Sequence, residues 1–193
     1  MGKPGFRVYL EGLSDKDIGP LAKNADDYEI AYNVAPYGTF PHPYTRADAV
    51  SFIQSSRRAE LNRTGYHFGI HASDTNEFIG AAGVLSIDED VCCAIGFWIG
   101  KEHRGKGYSK EAVSLLLYFS FDYLDAREVL ARTFAFNGIS IKLLTGMGFE
   151  RDERYTNMVP HYNGYTEEQQ YRMLKKVFSE RYSSILTNVQ MIV

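Results

Sequence analysis

Hydrophobic and polar positions alternate along several segments of the chain, and this alternation predicts strands. A period of two predicts a first strand over residues 6–10, and the alternation of Tyr66, Phe68 and Ile70 with polar or small residues predicts a half-buried strand. The mostly apolar run 77–85 predicts a more central strand that forms an antiparallel hairpin with 66–71 across a turn at 74–76. Further strands are expected over 91–99, after a turn at 88–90, over 128–136, from Phe149, and over 171–178.

Helical spacing of apolar residues predicts the remaining elements. Thr45 and Asp48 match a capping box with Asp in place of Glu, and they begin a helix of about four turns. A broad apolar stripe over 109–123 predicts a helix buried against the sheet, and a shorter helix is expected around 139–147, capped by Gly148. A short helix is also expected from Ser14 to near Asn24, and prolines make 33–44 a loop.

The order β-α-α-β-β-β-α-β-α-β-β predicts a mixed sheet with helices on its faces. A length of 193 residues is most simply one domain, 1–193, with a core over about 6–178. Residues 180–193 run past that core, and their apolar character suggests packing on the same chain or on a partner chain. The oligomeric state stays open.

Charge and cysteine content narrow the function classes. A net charge of −3 gives no reason to expect nucleic acid as a partner. Cys92 and Cys93 are adjacent and form no disulfide framework, so reducing, cytoplasmic surroundings are the default. An apolar signal core and a membrane-length apolar run are both absent, so no membrane partner is expected.

The stretch 95–112 contains the candidate chemistry. It passes from an apolar run through Gly100, Gly105 and Gly107 into an amphipathic pattern, which predicts strand, tight loop and helix. Such a junction directs backbone N–H groups and the positive end of a helix toward one place, which suits a phosphate group. We therefore expect a phosphate-bearing cofactor at residues 104–109. A glycine turn without a ligand is the structural alternative.

A nucleotide-binding P-loop is one way to meet this expectation. Residues 100–106 fit the first seven places of G-x-x-x-x-G-K-S/T, but Gly107 stands in the eighth place, where a hydroxyl would hold Mg²⁺. A P-loop nucleotide hydrolase is therefore the less favoured reading.

Three segments together resemble the GNAT superfamily of N-acetyltransferases. Arg104-Gly105-Lys106-Gly107-Tyr108-Ser109 is similar to its acetyl-CoA loop, Q/R-x-x-G-x-G/A, with Ser109 in place of the last small residue. Residues 137–150 resemble the family's N-x-x-S/A … G-F/Y segment. Residues 40–49 resemble the P-x-P-Y-T-x-x-D-A segment of the RimJ/RimL group, the ribosomal-protein N-terminal acetyltransferases.

The resemblance implies a GNAT fold of the α/β class, with a central, mixed, mostly antiparallel twisted sheet and helices on both faces. It also implies that the 104–109 loop holds the pyrophosphate of CoA or acetyl-CoA through backbone amides. Main-chain groups of the preceding strand would contact the pantetheine and the thioester carbonyl, and Asn137 would lie beside the pantetheine arm. The implied cofactor-binding residues are Phe97, Trp98, Ile99, Arg104, Gly105, Lys106, Gly107, Tyr108, Ser109 and Asn137. Trp98 and Tyr108 are equally interpretable as packing residues.

Two catalytic positions depart from the common pattern of the family. Leu144 stands where many members carry the Tyr that protonates the leaving thiolate, so Ser140, with Asn137, is the catalytic candidate. Ala94 stands where family members often have a Glu that acts as the general base. The acidic residues at 88–90 could act as a base through a water molecule or form a solvated turn. The general base is therefore unassigned.

The strand histidines offer no metal site. His67 and His71 share a strand face about 13 Å apart at ~3.3 Å per residue, too far to bind one metal ion. Either could carry a proton, with a sheet-face histidine of no catalytic role as the default.

The sequence thus predicts an acetyltransferase that moves the acetyl group of acetyl-CoA to a primary amine without a metal. The alternative is a non-catalytic CoA-binding module. The RimJ/RimL resemblance favours a protein N-terminal amine as acceptor, while a polyamine, an antibiotic amine and a small metabolite stay open.

Overall fold

The computed structural model describes residues 1–88 and 92–190. Its strands are β1 (Val8–Gly12), β2 (Tyr66–Ala72), β3 (Phe78–Ile87), β4 (Cys92–Ile99), β5 (Glu128–Phe134), β6 (Glu150–Arg151), β7 (Asn157–His161) and β8 (Gly164–Leu174). Its α-helices are α1 (Ile18–Ala25), α2 (Tyr28–Val34), α3 (Arg46–Leu61), α4 (Tyr108–Tyr118), α5 (Gly138–Met147) and α6 (Lys175–Tyr182).

The strands form one sheet in the order β1-β2-β3-β4-β5-β8-β6, and β7 pairs with β8 as well. Neighbouring strands run antiparallel except β4 and β5, which are parallel because α4 carries the chain back across the sheet between them. The β4–β5 pairing ends at Ile95 and Ala131, although β4 continues to Ile99 and β5 to Phe134. The two strands therefore separate toward their carboxyl ends and leave a gap in the sheet.

Helices cover both faces of the sheet. On one face, Leu21 of α1 and Ile53 of α3 are buried against Phe78 of β3. On the other, α4 packs its buried apolar residues into the larger core, together with Leu144 of α5 and Phe178 of α6. This arrangement confirms the predicted fold class, a mixed and mostly antiparallel sheet between two helical layers.

The start of α3 follows the local signal in the sequence. Thr45 Oγ1 accepts a hydrogen bond from the Asp48 amide at 3.3 Å, and the Asp48 carboxylate accepts one from the Thr45 amide at 2.7 Å. The capping box with Asp in place of Glu is thereby confirmed, because both partners fill otherwise unpaired groups of the first turn.

The expected strand 171–178 is wrong in its second half. Strand β8 ends at Leu174, and α6 begins at Lys175. Phe178 and Tyr182 lie four residues apart on one face of α6, with ring centroids 5.7 Å apart, and both are buried. Aromatic residues at helical spacing favour a helix here despite their strand propensity.

The expected helix 109–123 is regular only to Tyr118, and a π-helical turn follows over Phe119–Tyr123. Phe119 packs against Tyr66 and Phe68 of β2, while Phe121 stacks on Phe178 with centroids 4.7 Å apart. Phe119 and Phe121, two residues apart in this wider turn, thus contact different partners.

Helix α2 and strand β7 were not predicted, and the strand expected from Phe149 is only the two-residue β6. Asp27 caps α2 through a 3.0 Å hydrogen bond from the Glu29 amide, so a start signal was present in the sequence. The rest of the expected turn at 88–90 beyond Asp88, the start of the next strand at Val91, and 191–193 lie outside the described residues.

Residues 180–190 pack on their own chain. The Tyr182 hydroxyl donates to the Met147 carbonyl at 2.9 Å, and the Leu186 side chain is only 4% exposed in the main core. Gly2 and Gln190 exchange backbone hydrogen bonds of 2.9 and 2.8 Å. No helix in the described ranges 1–88 and 92–190 is both long and apolar enough to cross a membrane.

Substituting Leu186 tests whether this C-terminal segment stabilises the fold. Leu186→Ala should lower the free energy of unfolding by about 2–4 kcal/mol, because it leaves a cavity in the core. Ile185→Ala is the matched control: Ile185 is 50% exposed and should change stability by about 0.5 kcal/mol or less. Equal effects in urea denaturation would contradict a packed segment.

Candidate active site

A cavity of about 530 Å³ occupies the gap between β4 and β5. Its walls come from both helical layers, from α2 and α3 on one side and from α5 on the other, so the cavity passes through the sheet where the two strands separate. The lining residues used below are Glu29, Asn33, Phe40, Phe52, His67, Gly83, Leu85, Gly96, Phe97, Trp98, Ile99, Arg104, Gly105, Ser109, Arg132, Asn137, Ser140 and Leu144.

The glycine loop lies at one end of this cavity. Gly105 and Gly107 have φ angles of +75° and +82°, a region that favours glycine, and Gly107 caps the start of α4. A Cβ added to Gly105 would meet no atom within 4 Å, so the backbone conformation, rather than a lack of space, calls for glycine there. The first amides of α4 face away from the helix body and can receive an anion.

The side chain of Arg104 is held by the protein itself. Its Nε donates to the Ile99 carbonyl at 3.0 Å, and its two terminal nitrogens pair with Asp27 and Glu29 at the start of α2. Arg104 thus joins the end of β4, the glycine loop and α2, and its guanidinium is neutralised there. At residue 104, an anion would therefore be contacted by main-chain groups rather than by the guanidinium.

The other predicted loop residues divide between the cavity and its outer rim. Ser109 lines the cavity, whereas Lys106 is exposed outside it. Tyr108 lies under the Arg7 guanidinium, 5.2 Å from its ring centroid, and Arg7 in turn pairs with Glu111 at 2.5 Å. Tyr108 is therefore in a packing position, with Arg7 as a cation near the start of α4 that the sequence did not indicate.

The β4 residues Phe97, Trp98 and Ile99 all line the cavity. Phe97 and Ile99 join the core under α4, and Trp98 points to the opposite face, where it packs near Phe40 and Phe78 with ring centroids 6.5 and 6.3 Å away. Beyond Ile95 their main chain has no β5 partner in the ladder, so it borders the gap.

Asn137 and Ser140 lie across the gap from β4, at the start of α5. The Asn137 side-chain oxygen accepts the Ser140 amide at 3.1 Å, and its nitrogen donates to the Asn33 carbonyl of α2 at 3.4 Å. Ser140 is half-buried on the cavity wall, one helical turn before Leu144, which is buried at 1% exposure. The structure thus brings both catalytic candidates to the same cavity as the glycine loop.

The positions considered for the general base do not lie together in the structure. Ala94, the position where the family often has Glu, is half-buried on β4 outside the cavity lining, and the Asp88 carboxylate accepts a hydrogen bond from the Cys92 amide at 2.7 Å. Glu89 and Asp90 lie outside the described residues. His67 lines the cavity, and burial lowers the pKa of its imidazole.

His71 and the cysteines lie away from this cavity. His71 is buried within 3.8 Å of Glu11 and 3.9 Å of Asp17. Cys93 is in the core, and burial raises the pKa of its thiol to about 11 and that of Cys92 to about 12, so both thiols are protonated near neutral pH. No group of three or more His, Cys, Asp or Glu side chains in the described chain could hold a metal ion.

Comparison with known proteins identifies this arrangement. The family model described as "Acetyltransferase (GNAT) domain" matches residues 7–150, about three quarters of the chain. The chain belongs to the GNAT acetyltransferase family. The predicted family, fold and enzyme class are therefore confirmed.

Individual relatives agree with this assignment. A chain named "Uncharacterized N-acetyltransferase p20" from Bacillus licheniformis is 29% identical over 149 residues, which is 76% of this chain and 80% of that one. Mycobacterium smegmatis RimJ, solved with CoA-disulfide, has a TM-score of 0.76 at 16% identity, covering 90% of both chains. Spermidine N-acetyltransferase from Vibrio cholerae, solved with CoA and spermine, has a TM-score of 0.75 at 15% identity, covering 89% of this chain and 98% of that one. At these identities the two structures show a shared fold.

Removing the Arg104 guanidinium tests its role as a connector. Arg104→Gln should weaken CoA affinity about fivefold, because a lost hydrogen bond to a charged group costs about 1 kcal/mol or more. The control is Lys101→Gln, an exposed cation at the start of the same turn, with affinity as in the wild type. Isothermal titration with CoA measures both, and equal affinities would show that the connection does not order the loop.

Proposed function

We propose that this GNAT-family enzyme transfers the acetyl group of acetyl-CoA to a primary amine by direct attack of the amine on the thioester. Acyl transfer of this kind needs a neutral amine, a polarised thioester carbonyl and a proton for the departing thiolate. The observation that carries the proposal is the gap between β4 and β5, which joins the glycine loop, Asn137 and Ser140 in one cavity.

The phosphate end of acetyl-CoA is proposed to bind at the glycine loop. The positive φ angles of Gly105 and Gly107 and the free amides at the start of α4 suit a pyrophosphate. Main-chain groups supply this site, since Arg104 is paired with α2 and Lys106 is exposed at the rim. The solved relatives with CoA named above are consistent with the same cofactor.

The pantetheine arm and the thioester are proposed to lie along residues 96–99 of β4. Residues 96–99 are paired with β3 but have no β5 partner, so main-chain groups on the β5 side can offer hydrogen bonds to the amides of pantetheine and to the thioester oxygen. The hydroxyl of Ser140, across the gap, is the proposed proton donor to the thiolate, because buried Leu144 carries no proton to give. The Asn137 side-chain oxygen holds Ser140 in position by accepting a hydrogen bond from the Ser140 backbone amide.

The acceptor is proposed to be a protein N-terminal amine or a small-molecule amine. The relatives named above include a spermidine N-acetyltransferase, so the fold alone does not select among acceptors. The proposed setting is the cytoplasm, where a chain with two free, protonated thiols is stable.

Substituting the loop glycines tests the cofactor site. Gly105→Val and Gly107→Val should abolish the rise in melting temperature that CoA produces in the wild type, because a β-branched residue does not adopt φ near +80° without strain. The control is Gly146→Val in α5, where an added Cβ meets nothing within 4 Å. A CoA-dependent shift that survives in both loop variants would place the pyrophosphate elsewhere.

Substituting Ser140 tests the proton donor. Ser140→Ala should lower kcat by at least about tenfold with a near-normal CoA affinity, because the hydroxyl is needed only when the C–S bond breaks. Ser140→Thr keeps a hydroxyl and should recover part of the rate. Thiol release from acetyl-CoA over a panel of amines gives both rates, and an unchanged kcat for Ser140→Ala would leave Ser140 as a helix residue only. If the wild type bound CoA but acetylated no amine in the panel, the result would favour the alternative of a non-catalytic CoA-binding module.

A further inference from the structure

The part of the cavity on the sheet face covered by α3 is called its second arm below. Its wall is formed by residues of the loop before α3, of α3 itself and of strands β2 to β4: Phe40, Phe52, His67, Leu85 and Trp98. Four of these side chains are apolar or aromatic, and His67 is the only titratable one. Nothing in the family assignment gives this arm or His67 a role.

Each charged side chain of the cavity lining has a partner in the protein. Its charged lining residues are Glu29, Arg104 and Arg132. Glu29 pairs with Arg104, and Arg132 donates to Gln170 at 3.0 Å. The lining thus offers no unpaired carboxylate to a polycation, whereas its rings and aliphatic side chains suit an apolar or aromatic skeleton.

The sheet register directs His67 at the gap. His67 pairs with Gly83 of β3, and Gly83 pairs with Gly96 of β4, so the three residues form one row on the α3 face. Gly96 is the first residue of β4 beyond its last pairing with β5. The row therefore runs from the imidazole to the point where the proposed thioester site begins.

Gly83 places no side chain beside the imidazole, whereas the Leu85 side chain covers Gly96, where an added Cβ would lie 2.9 Å from Leu85 Cδ1. A Cβ on Gly83 would lie 3.0 Å from His67 Cδ2, so the ring atom next to Nε2 lies close to Gly83. Neighbouring strands are about 4.8 Å apart, so the Cα atoms of His67 and Gly96, two strands apart, are separated by about 10 Å across the sheet. The imidazole spans roughly half of that distance. The Leu85 side chain occupies part of the remaining distance, and both Leu85 and His67 line the cavity.

The environment of the ring keeps it neutral. Phe52 from α3 packs edge-to-face on it with centroids 5.4 Å apart, and Nδ1, on the other side of the ring, is buried with no hydrogen-bond partner among the described residues. A proton on both nitrogens would leave a buried, unpaired N–H⁺, and burial accordingly lowers the imidazole pKa. A neutral imidazole can accept a proton at pH 7.

We propose that this arm is the acceptor subsite, that it takes a primary amine carried on an apolar or aromatic skeleton, and that His67 accepts the proton the amine loses. This inference rests on the proposed function. The amine nitrogen forms the N–C bond to the acetyl carbon as the C–S bond breaks. One proton passes from nitrogen to His67 and one from Ser140 to the thiolate. Exchange with water restores both residues, and the products are the amide and the CoA thiol.

The first test compares acceptors in the wild type. Thiol release from acetyl-CoA is measured with a phenylalanine-terminated dipeptide, an arylamine and spermidine. We expect kcat/KM at least tenfold higher for the two aromatic amines than for spermidine, because the subsite offers rings and no free carboxylate. A preference for spermidine would overturn the proposed acceptor class.

The second test removes the imidazole. His67→Gln should lower kcat/KM for the arylamine about a hundredfold, the usual contribution of a general base, while CoA raises the melting temperature as in the wild type. His67→Phe keeps a ring against Phe52 and should lose the same rate, so loss of packing is separated from loss of the base. The control is His42→Gln, a histidine beside Asp26 outside the cavity lining.

The pH profile distinguishes a base from a merely structural residue. An arylamine stays neutral above about pH 5, so ionisation of the acceptor does not change kcat/KM above that pH. Because burial lowers the His67 pKa from its usual 6.5, the wild-type kcat/KM should be constant near pH 7 and fall only below 6.5. His67→Gln and His67→Phe should lack this fall. If both variants kept the wild-type rate and pH limb, His67 would not be the base. If no amine reacted while CoA still bound, the proposed function itself would fail.

Discussion

The separation of β4 from β5 is the constraint on which the rest of the structure depends. Two parallel strands that part after Ile95 and Ala131 leave main-chain groups without a ladder partner, and such groups are costly unless something else binds them. The gap must also be kept from closing. Arg104 binds one such group, the Ile99 carbonyl, and it also ties α2 to the end of β4, while Asn137 ties α2 to the start of α5. The cavity is therefore bounded by connections among three elements that lie far apart in sequence.

Much of the fold could be predicted from the chain because its local signals agree with its tertiary packing. The capping box at Thr45, the alternation along β2 and the glycine at 148 each specify an element without reference to the rest of the molecule. The predictions failed where long-range contacts decide the structure. Lys175–Tyr182 has strand-like composition but is a helix, since Phe178 and Tyr182 are buried on one of its faces. Helix α2 was missed because its polar cap and short length resemble a loop.

The candidate site also contains both residues that local sequence signals predict and residues that only long-range contacts bring together. The loop at 104–109 and the pair Asn137 and Ser140 could be found from sequence, because their spacing is local and the backbone needs those residue types. The pairing of Arg104 with Asp27 and Glu29 could not, because the residues are about 75 positions apart and meet only through the fold. The same holds for His67. Its proposed role depends on its pairing with Gly83 and on the pairing of Gly83 with Gly96, and neither glycine is unusual in its own segment.

The neutralised Arg104 has a consequence for how the proposed phosphate site attracts its ligand. An anion site made of main-chain amides acts through dipoles, whose field falls off within a few ångströms, rather than through a net charge. In a chain with a formal charge of −3, long-range attraction toward a highly anionic cofactor is weak. Capture would then depend on local fit after a chance encounter, and ionic strength would alter the association rate of the cofactor little.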